Sequence, residues 1–255
     1  MVQTIGGSHV QVTSILDNPG INPREFAANP RIGRALLHAK VVVMNGLGFD
    51  SWMTKLLDGT PSPGRKVIVA SEADSSMILP DRNWHVFYSP GIMLATASQV
   101  EQALSRIDPK DRRDFEAGLQ SFQQQLAPVY AEVRKIAAEH PHLAVTATVP
   151  VYGYMFRLLG FQVLYRDLQF ANMNNSQPSG RQIAEFIRGL EQHKVHLLVY
   201  NEQVHNQLTR SLVDAARGAG VPVTGVSAIP LHGEDYAQWQ LAQLESIEDA
   251  LDRRP

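Results

Sequence analysis

Histidines and carboxylates are the residues of this sequence that could bind a metal ion, because cysteine is absent and a thiolate site is therefore excluded. His85 lies within residues 83–87 (NWHVF), a segment that carries no regular helix or strand pattern. Imidazole nitrogen suits zinc and other transition metals, whereas manganese prefers a larger share of oxygen ligands. The absence of cysteine also excludes disulfides, but it fits either a reducing or an oxidising compartment.

Motifs that would mark a common enzyme are incomplete or absent. Residues 45–48 (NGLG) follow a predicted strand and open a helix, but the turn lacks the third glycine of a dinucleotide fingerprint, and no acidic residue ends the next strand. The sequence contains no Walker loop and no Gly-x-Ser-x-Gly elbow. We therefore predict that the protein is not an enzyme.

A long amphipathic helix is the element around which the chain is organised. It is predicted from Asp108 to His140, with Pro109 at its first position and Pro141 ending it. Seven apolar residues recur at alternating steps of four and three, which places them on one face: Phe115, Leu119, Phe122, Leu126, Val129, Val133 and Ile136. At 1.5 Å per residue this helix would be roughly 45 Å long, so we interpret it as a spine between two lobes. The alternative is an ordinary surface helix of one larger domain.

Strand and helix patterns alternate on both sides of this spine. Predicted strands cover residues 10–16, 40–44, 66–70, 143–148, 162–168, 195–200 and 221–226. Strands that alternate with helices at this spacing form parallel α/β layers. The predicted fold class is α/β, with about four strands in each half. The predicted organisation is an N-terminal lobe over residues 1–108, a connecting helix over 109–140 and a C-terminal lobe over 141–255.

Composition narrows the possible partners. The chain has 255 residues, of which 44 % are hydrophobic and 19 % charged, and its formal net charge is -2. This is the composition of a globular protein with no basic excess for nucleic acid, and no apolar run is long enough to span a membrane. Residues 1–7 resemble the end of a helix, so we expect that a leader and a first strand precede them.

Several short segments, in this order, resemble one family. Residues 6–12 (GGSHVQV), 19–23 (PGINP) and 39–48 (AKVVVMNGLG) resemble the amino-terminal lobe of the zinc and manganese receptors of ABC importers. Further segments follow in the order that the family has: 83–90 (NWHVFYSP), 151–155 (VYGYM), 177–179 (QPS), 194–201 (KVHLLVYN) and 220–223 (GVPV). The resemblance covers residues 5–251. It implies two α/β lobes joined by one long helix, a metal ion in the cleft between the lobes, a monomeric extracytoplasmic or periplasmic receptor, and the membrane permease of an ABC importer as partner.

The same resemblance assigns four metal-ligand positions, of which only one holds a ligand residue. His85 matches the second position. Arg24 stands at the first, and arginine is a permanent cation that cannot bind a metal ion. Val149 stands at the third, and Asn201 and Ala228 stand at the two places expected for the fourth.

Other donors lie close to these positions. They are Glu202, His205, His232, Glu234 and Asp235. Glu202 is one residue beyond a family position, so on a strand it should face the other way. His232 and the two acids after it belong to a loop that could fold over the cleft, but their spacing does not require it.

Three interpretations of the site stay open. The cleft could hold zinc or manganese with substitute ligands. It could bind an anionic ligand instead, because the guanidinium of Arg24 matches carboxylate or phosphate. The protein could also be a metal-free scaffold or regulator. His85 could correspondingly be a packed, hydrogen-bonded histidine, and Arg24 an ordinary surface residue.

Overall fold

The structure is a computed structural model, and it describes residues 1–16, 26, 29–230 and 233–253. The chain divides into two compact units, Met1–Ala127 and Pro128–Pro255. Each unit contains a parallel sheet with helices, which confirms the predicted α/β class. The finer division into residues 1–108, 109–140 and 141–255 stays a prediction.

The first unit contains a two-stranded parallel sheet. Strand β1 (Val41–Met44) pairs with β2 (Lys66–Val69), and both are the continuous β-branched runs expected of buried parallel strands. The helices of this unit are α1 (Val2–Gly6), α2 (Pro30–His38), α3 (Ser51–Gly59), α4 (Ala70–Ala73), α5 (Pro90–Ile107) and the first part of α6 (Arg112–Glu139). A small core joins β1 to α2 and α3 through Ile32, Leu36, Val42 and Met53.

The predicted strand over residues 10–16 is wrong. This segment follows a short 3-10 turn (Gly7–His9) and forms no strand, and most of its side chains are exposed. The alternating residues have the propensity for a strand, but a strand exists only where a neighbour supplies hydrogen bonds. Of the first unit's described residues, only β1 and β2 form strands, fewer than the four that were expected.

The second unit contains a four-stranded parallel sheet in the order β4-β3-β5-β6. Its strands are β3 (Ala144–Ala147), β4 (Gln162–Val163), β5 (Leu198–Asn201) and β6 (Val223–Val226). Its helices, besides the end of α6, are α7 (Gly153–Leu158), α8 (Arg166–Met173), α9 (Gly180–Glu191), α10 (Gln207–Gly218) and α11 (Tyr236–Asp252). Capping boxes begin α9 at Ser179 and α11 at Asp235, which explains where these two helices start.

The predicted long helix is confirmed. A 3-10 turn at Pro109–Asp111 leads into α6, whose 28 residues continue through Pro128 to Glu139. Such a helix is about 42 Å long. The expected apolar face is buried except for Leu119, which is half-buried.

Helix α1 packs against α6 at Gly118. A Cβ atom at Gly118 would lie 2.4 Å from the carbonyl oxygen of Ile5 and 2.7 Å from the carbonyl oxygen of Thr4. The contact is therefore backbone against backbone, and it requires a residue without a side chain. None of the helices in the described part of the chain combines the length and the apolarity needed to cross a bilayer.

Candidate ligand-binding site

The loop after β1 is held by a buried carboxylate. Asp50, at 6 % exposure, accepts hydrogen bonds from the backbone N–H groups of Asn45 at 2.5 Å and Gly46 at 2.9 Å. Gly46 has φ +87°, a left-handed conformation that favours glycine. Burial raises the pKa of Asp50, while the hydrogen bonds from Gly46 and Asn45 oppose that rise.

This loop is tied to the segment that carries His85. The side-chain amide of Asn45 donates a hydrogen bond to the carbonyl oxygen of Trp84 at 2.7 Å. Asp50, Asn45 and Trp84 therefore form one chain of hydrogen bonds. It fixes the backbone immediately before His85 at the carboxyl end of β1, the edge where α/β sheets usually place their ligands.

His85 is buried, with 4 % of its surface exposed. Its Nδ1 lies 2.7 Å from Oδ1 of Asn83, and its backbone N–H donates to the same oxygen at 3.0 Å. Four aromatic rings have their centroids 5.8 to 6.5 Å from the imidazole: Phe49, Trp84, Phe87 and Tyr88. The imidazole is thus held in one orientation, and the expectation that it faces a cleft between the lobes stays a prediction.

In the second unit, the loops after β5 and β6 are joined by neutral side chains. Oδ1 of Asn201 accepts the backbone N–H of Gln203 at 2.8 Å. The Gln203 amide then donates to Oγ of Ser227 at 2.6 Å and accepts the backbone N–H of Ala228 at 2.9 Å. Asn201 and Ala228, the two places considered for the fourth ligand, therefore belong to one network that carries no charge.

The residues that follow β3 also offer no charged side chain. Val149 is buried and has no lone pair to offer. The carbonyl oxygen of Thr148 accepts a hydrogen bond at 2.8 Å from Asn172, which also donates to Thr209 at 3.2 Å and accepts from Asn206 at 2.9 Å. Asn172 therefore connects β3 to the start of α10.

Four of the five substitute donors, all except His232, lie within the described residues. Glu202 is exposed, whereas its neighbours Asn201 and Gln203 are buried, so it faces away from them as predicted. Its carboxylate lies over Gly225, where a Cβ atom would come within 2.5 Å of Oε1. Asp235 is the N-cap of α11 and accepts the backbone N–H of Gln238 at 2.8 Å.

Two other predicted site residues, Arg24 and His232, lie outside the described residues. Their expected roles, an anion-binding cation and a substitute metal ligand, stay predictions.

One cluster of potential metal ligands lies away from these positions, near the start of α6. Among the described residues, only His9, Asp111 and Asp114 bring three potential ligand atoms within 4.8 Å of one another. Nδ1 of His9 lies 2.9 Å from Asp111, and Nε2 lies 3.0 Å from Asp114. Each ring nitrogen of His9 therefore lies beside its own carboxylate at the start of α6, in a cluster that contains none of the positions assigned by the resemblance.

The described residues at the positions that the resemblance assigns do not by themselves supply a complete zinc site. Zinc requires four nitrogen, oxygen or sulfur ligands, or three and a water molecule. Within the described residues, these positions supply one imidazole, one aliphatic side chain and neutral hydrogen-bonded groups. The sequence singled out His85, whose role stays a prediction, but it did not single out Asp50, Asn83 and Gln203, whose hydrogen bonds hold these loops. Their only sequence signal is a short polar residue beside a turn.

Comparison with known proteins identifies the family. The profile of the zinc-uptake complex component A, a periplasmic component, matches residues 1–250. The zinc-binding protein TroA of Treponema pallidum is 25 % identical over 234 residues, which are 88 % of this chain and 74 % of that protein.

Solved structures agree with this assignment at the level of the fold. The periplasmic zinc-binding protein TroA from Treponema pallidum superposes with a TM-score of 0.81 at 21 % identity, covering 98 % of this chain and 94 % of the other. The solute-binding protein FpvC from Pseudomonas aeruginosa, in complex with Mn2+, gives 0.80 at 18 % identity, covering 100 % and 94 %. The resemblance seen in the sequence is thereby confirmed, and the chain belongs to the family of the periplasmic zinc-uptake component A.

Proposed function

We propose that this protein is an extracytoplasmic receptor that binds a solute reversibly and delivers it to the membrane permease of an ABC importer. The observation that carries the proposal is the family match over residues 1–250, which accounts for nearly the whole chain. The importer would recognise the ligand-bound form better than the empty one, so differential affinity rather than covalent chemistry would drive delivery. The incomplete enzyme motifs agree with a binding role.

The solute site of this receptor is chemically degenerate. His85 is retained, whereas Asn201 and Ala228, the two residues at the places expected for the fourth ligand, are uncharged and hydrogen-bond to Gln203. Arg24, at the first family position, would repel a divalent ion by roughly 2 to 8 kcal/mol at 4 Å, for effective dielectric constants of about 80 down to 20. We therefore expect zinc and manganese to bind far more weakly than they bind a four-ligand receptor.

A second candidate function is favoured by the uncharged residues Asn201 and Ala228 together with the cation of Arg24. A receptor fold with Arg24 and amide donors at its site could hold an anionic ligand, or it could serve as a scaffold or regulator without any metal. Stoichiometric zinc or manganese in protein purified without chelator would argue against this alternative.

The direct test is a titration of chelator-stripped protein with zinc and with manganese. The informative variant combines Arg24→His with Val149→His, which would restore two family ligands. A matched control combines Arg181→His with Leu158→His, two exposed positions on α9 and α7. Tighter binding in the first variant alone is the expected result. Submicromolar zinc binding by the unaltered protein would contradict the degenerate site and would direct attention to Glu202, His232 and Asp235.

A further inference from the structure

A group of exposed cations lies at the amino ends of β1 and β2. Lys40 directly precedes β1, and Lys66 begins β2. The backbone N–H of Lys66 donates to the carbonyl oxygen of Lys40 at 2.8 Å, so these two residues are neighbours at the start of the sheet. Arg31 and Arg34 lie on α2, which ends two residues before Lys40. All four residues are exposed, and together they are called the basic surface below.

Arg65 joins the elements that carry the basic surface. Its guanidinium donates to the carbonyl oxygen of Leu36 at 3.0 Å, in the last turn of α2, and to that of Leu57 at 3.3 Å, in the last turn of α3. Oγ of Ser62 also donates to the carbonyl oxygen of Leu37 at 3.4 Å. Hydrogen bonds therefore hold α2, α3 and the start of β2 together, so the four cations keep their positions relative to one another.

The charge of the basic surface is not compensated nearby. Within residues 30–69 the only acidic residues are Asp50 and Asp58. Asp50 is buried and hydrogen-bonds to the loop at the other, carboxyl end of β1. Among the described residues, none of the four cations forms an ion pair with a carboxylate, whereas Lys135, for example, pairs with Glu248. Since the formal net charge of the chain is -2, this surface is a positive region on a slightly negative protein.

An exposed leucine lies beside these cations. Leu37 follows Arg34 by three residues on α2, so both lie on one face of the helix, while Ile32 and Leu36 on the opposite face join the core. Leu37 is 47 % exposed, more than any other large hydrophobic residue that the structure describes. An apolar side chain among cations is typical of helices that lie at a membrane surface, where the cations meet anionic headgroups and the apolar group enters the boundary below them.

We infer that the basic surface docks onto anionic phospholipid headgroups. The inference rests on the proposed function, because a receptor that delivers a solute to a permease must meet the membrane that holds the permease. The basic surface lies at the amino ends of the strands, whereas the loop tied to the His85 segment follows the carboxyl end of β1, so docking would leave that loop uncovered. A segment of an acidic protein would also match the charges, but Leu37 favours a bilayer, which offers anionic groups and apolar chains together.

Co-sedimentation of the full chain with lipid vesicles tests this inference. The probe is a vesicle of three parts phosphatidylcholine to one part phosphatidylglycerol, compared with phosphatidylcholine alone. The protein should bind the mixed vesicles at low ionic strength and should bind the neutral vesicles far more weakly. About 1 M NaCl should release it, because the screening length is then only about 3 Å.

Charge variants locate the contact. The variant that combines Arg34→Gln, Lys40→Gln and Lys66→Gln should bind the mixed vesicles roughly 100-fold more weakly, because each cation near an anionic surface raises the affinity by about fivefold. The matched control removes three positive charges from exposed residues of the second unit: Arg134→Gln, Arg188→Gln and Lys194→Gln. It should weaken binding by less than about fivefold.

The leucine is tested separately. Leu37→Asn should weaken binding to the mixed vesicles by about three- to tenfold, since it removes apolar surface from the contact. Leu158→Asn, at a residue of the second unit that is 39 % exposed, should leave binding unchanged. Equal effects of these two substitutions would contradict the role of Leu37 and with it the choice of a bilayer.

Three results would overturn the inference: no binding of the unaltered protein to mixed vesicles, equal binding to neutral vesicles, or equal losses in the two triple variants. The first two need no variant, so they hold even if a variant fails to fold. Binding of polyglutamate in place of vesicles would identify an acidic polypeptide as the partner and would also overturn it. The vesicle assays contain no zinc or manganese, so their failure leaves the metal titrations, and the proposed function that these test, to be judged separately.

Discussion

Replacing Asp50 by asparagine should destabilise the first unit, because one carboxylate holds two backbone amides of the loop after β1. Asparagine has the same shape but only one side-chain oxygen, so one of the N–H groups of Asn45 and Gly46 would lose its acceptor. A buried donor without a partner costs about 1–3 kcal/mol. We expect the free energy of unfolding of Asp50→Asn to fall by about that amount, measured by urea denaturation.

The size of this loss should depend on pH in a defined direction. The pKa of Asp50 is raised from its ordinary value of 3.8, chiefly by burial. Between 3.8 and the raised pKa, the folded protein binds more protons at Asp50 than the unfolded chain does. The stability that Asp50 contributes is therefore full below the lower value and decreases as pH rises through the raised one. Asparagine does not titrate, so the advantage of the unaltered protein over Asp50→Asn should be largest at acidic pH and smaller at neutral pH.

The matched control is Asp214→Asn, which changes the same functional group at a side chain that is 76 % exposed and 4.0 Å from Arg217. It should alter the free energy of unfolding by less than about 0.5 kcal/mol at every pH. The reasoning about Asp50 is refuted if Asp50→Asn is as mild as this control, or if its deficit grows as the pH rises from acidic to neutral.

Two further predictions concern packing and burial. Gly118→Ala should lower the free energy of unfolding by about 1–3 kcal/mol, because its Cβ would lie 2.4 Å from the backbone oxygen of Ile5. The control Gly180→Ala, where a Cβ atom would have no atom within 4 Å, should be neutral or slightly stabilising. Equal effects of the two substitutions in thermal unfolding would contradict the close approach of α1 to α6. Burial raises the pKa of Tyr152 above its ordinary value of 10.0, so the folded protein should lose stability as pH rises above 10.0, where the unfolded chain ionises first. Tyr152→Phe should reduce this alkaline loss in denaturation measured at pH 9 and pH 11, and an unchanged pH slope would count against it.

The parts of the fold that the sequence predicts are those specified by local pattern. Helix α6 follows from seven apolar residues at helical spacing, and β1, β5 and β6 follow from continuous apolar runs. The segment 10–16 shows the limit of such reasoning, because a strand depends on a partner that is distant in sequence and propensity does not supply one.

The residues of the candidate site also differ in how far the sequence could indicate them. The family resemblance singles out His85 because histidine itself carries the chemistry. Asn83 and Gln203 act through hydrogen bonds whose partners are set by turn geometry, and no spacing in the sequence distinguishes them from other polar residues in loops. Asp50 stands just before α3, where an acidic residue would ordinarily be assigned to helix capping, but its carboxylate turns back to the preceding loop.

The network around Gln203 joins the loops after β5 and β6 in a way that depends on a neutral amide at this residue. The hydroxyl of Ser227 donates its hydrogen to the carbonyl oxygen of Ile229, so towards Gln203 its oxygen must act as an acceptor. The amide NH2 of Gln203 meets that requirement, whereas a glutamate at the same position would bring a carboxylate oxygen against a lone pair. The amide oxygen of Gln203 accepts the backbone N–H of Ala228, which fixes the orientation of the group. This part of the fold therefore favours a neutral amide over a carboxylate at residue 203, because the amide supplies both the donor for Ser227 and the acceptor for Ala228.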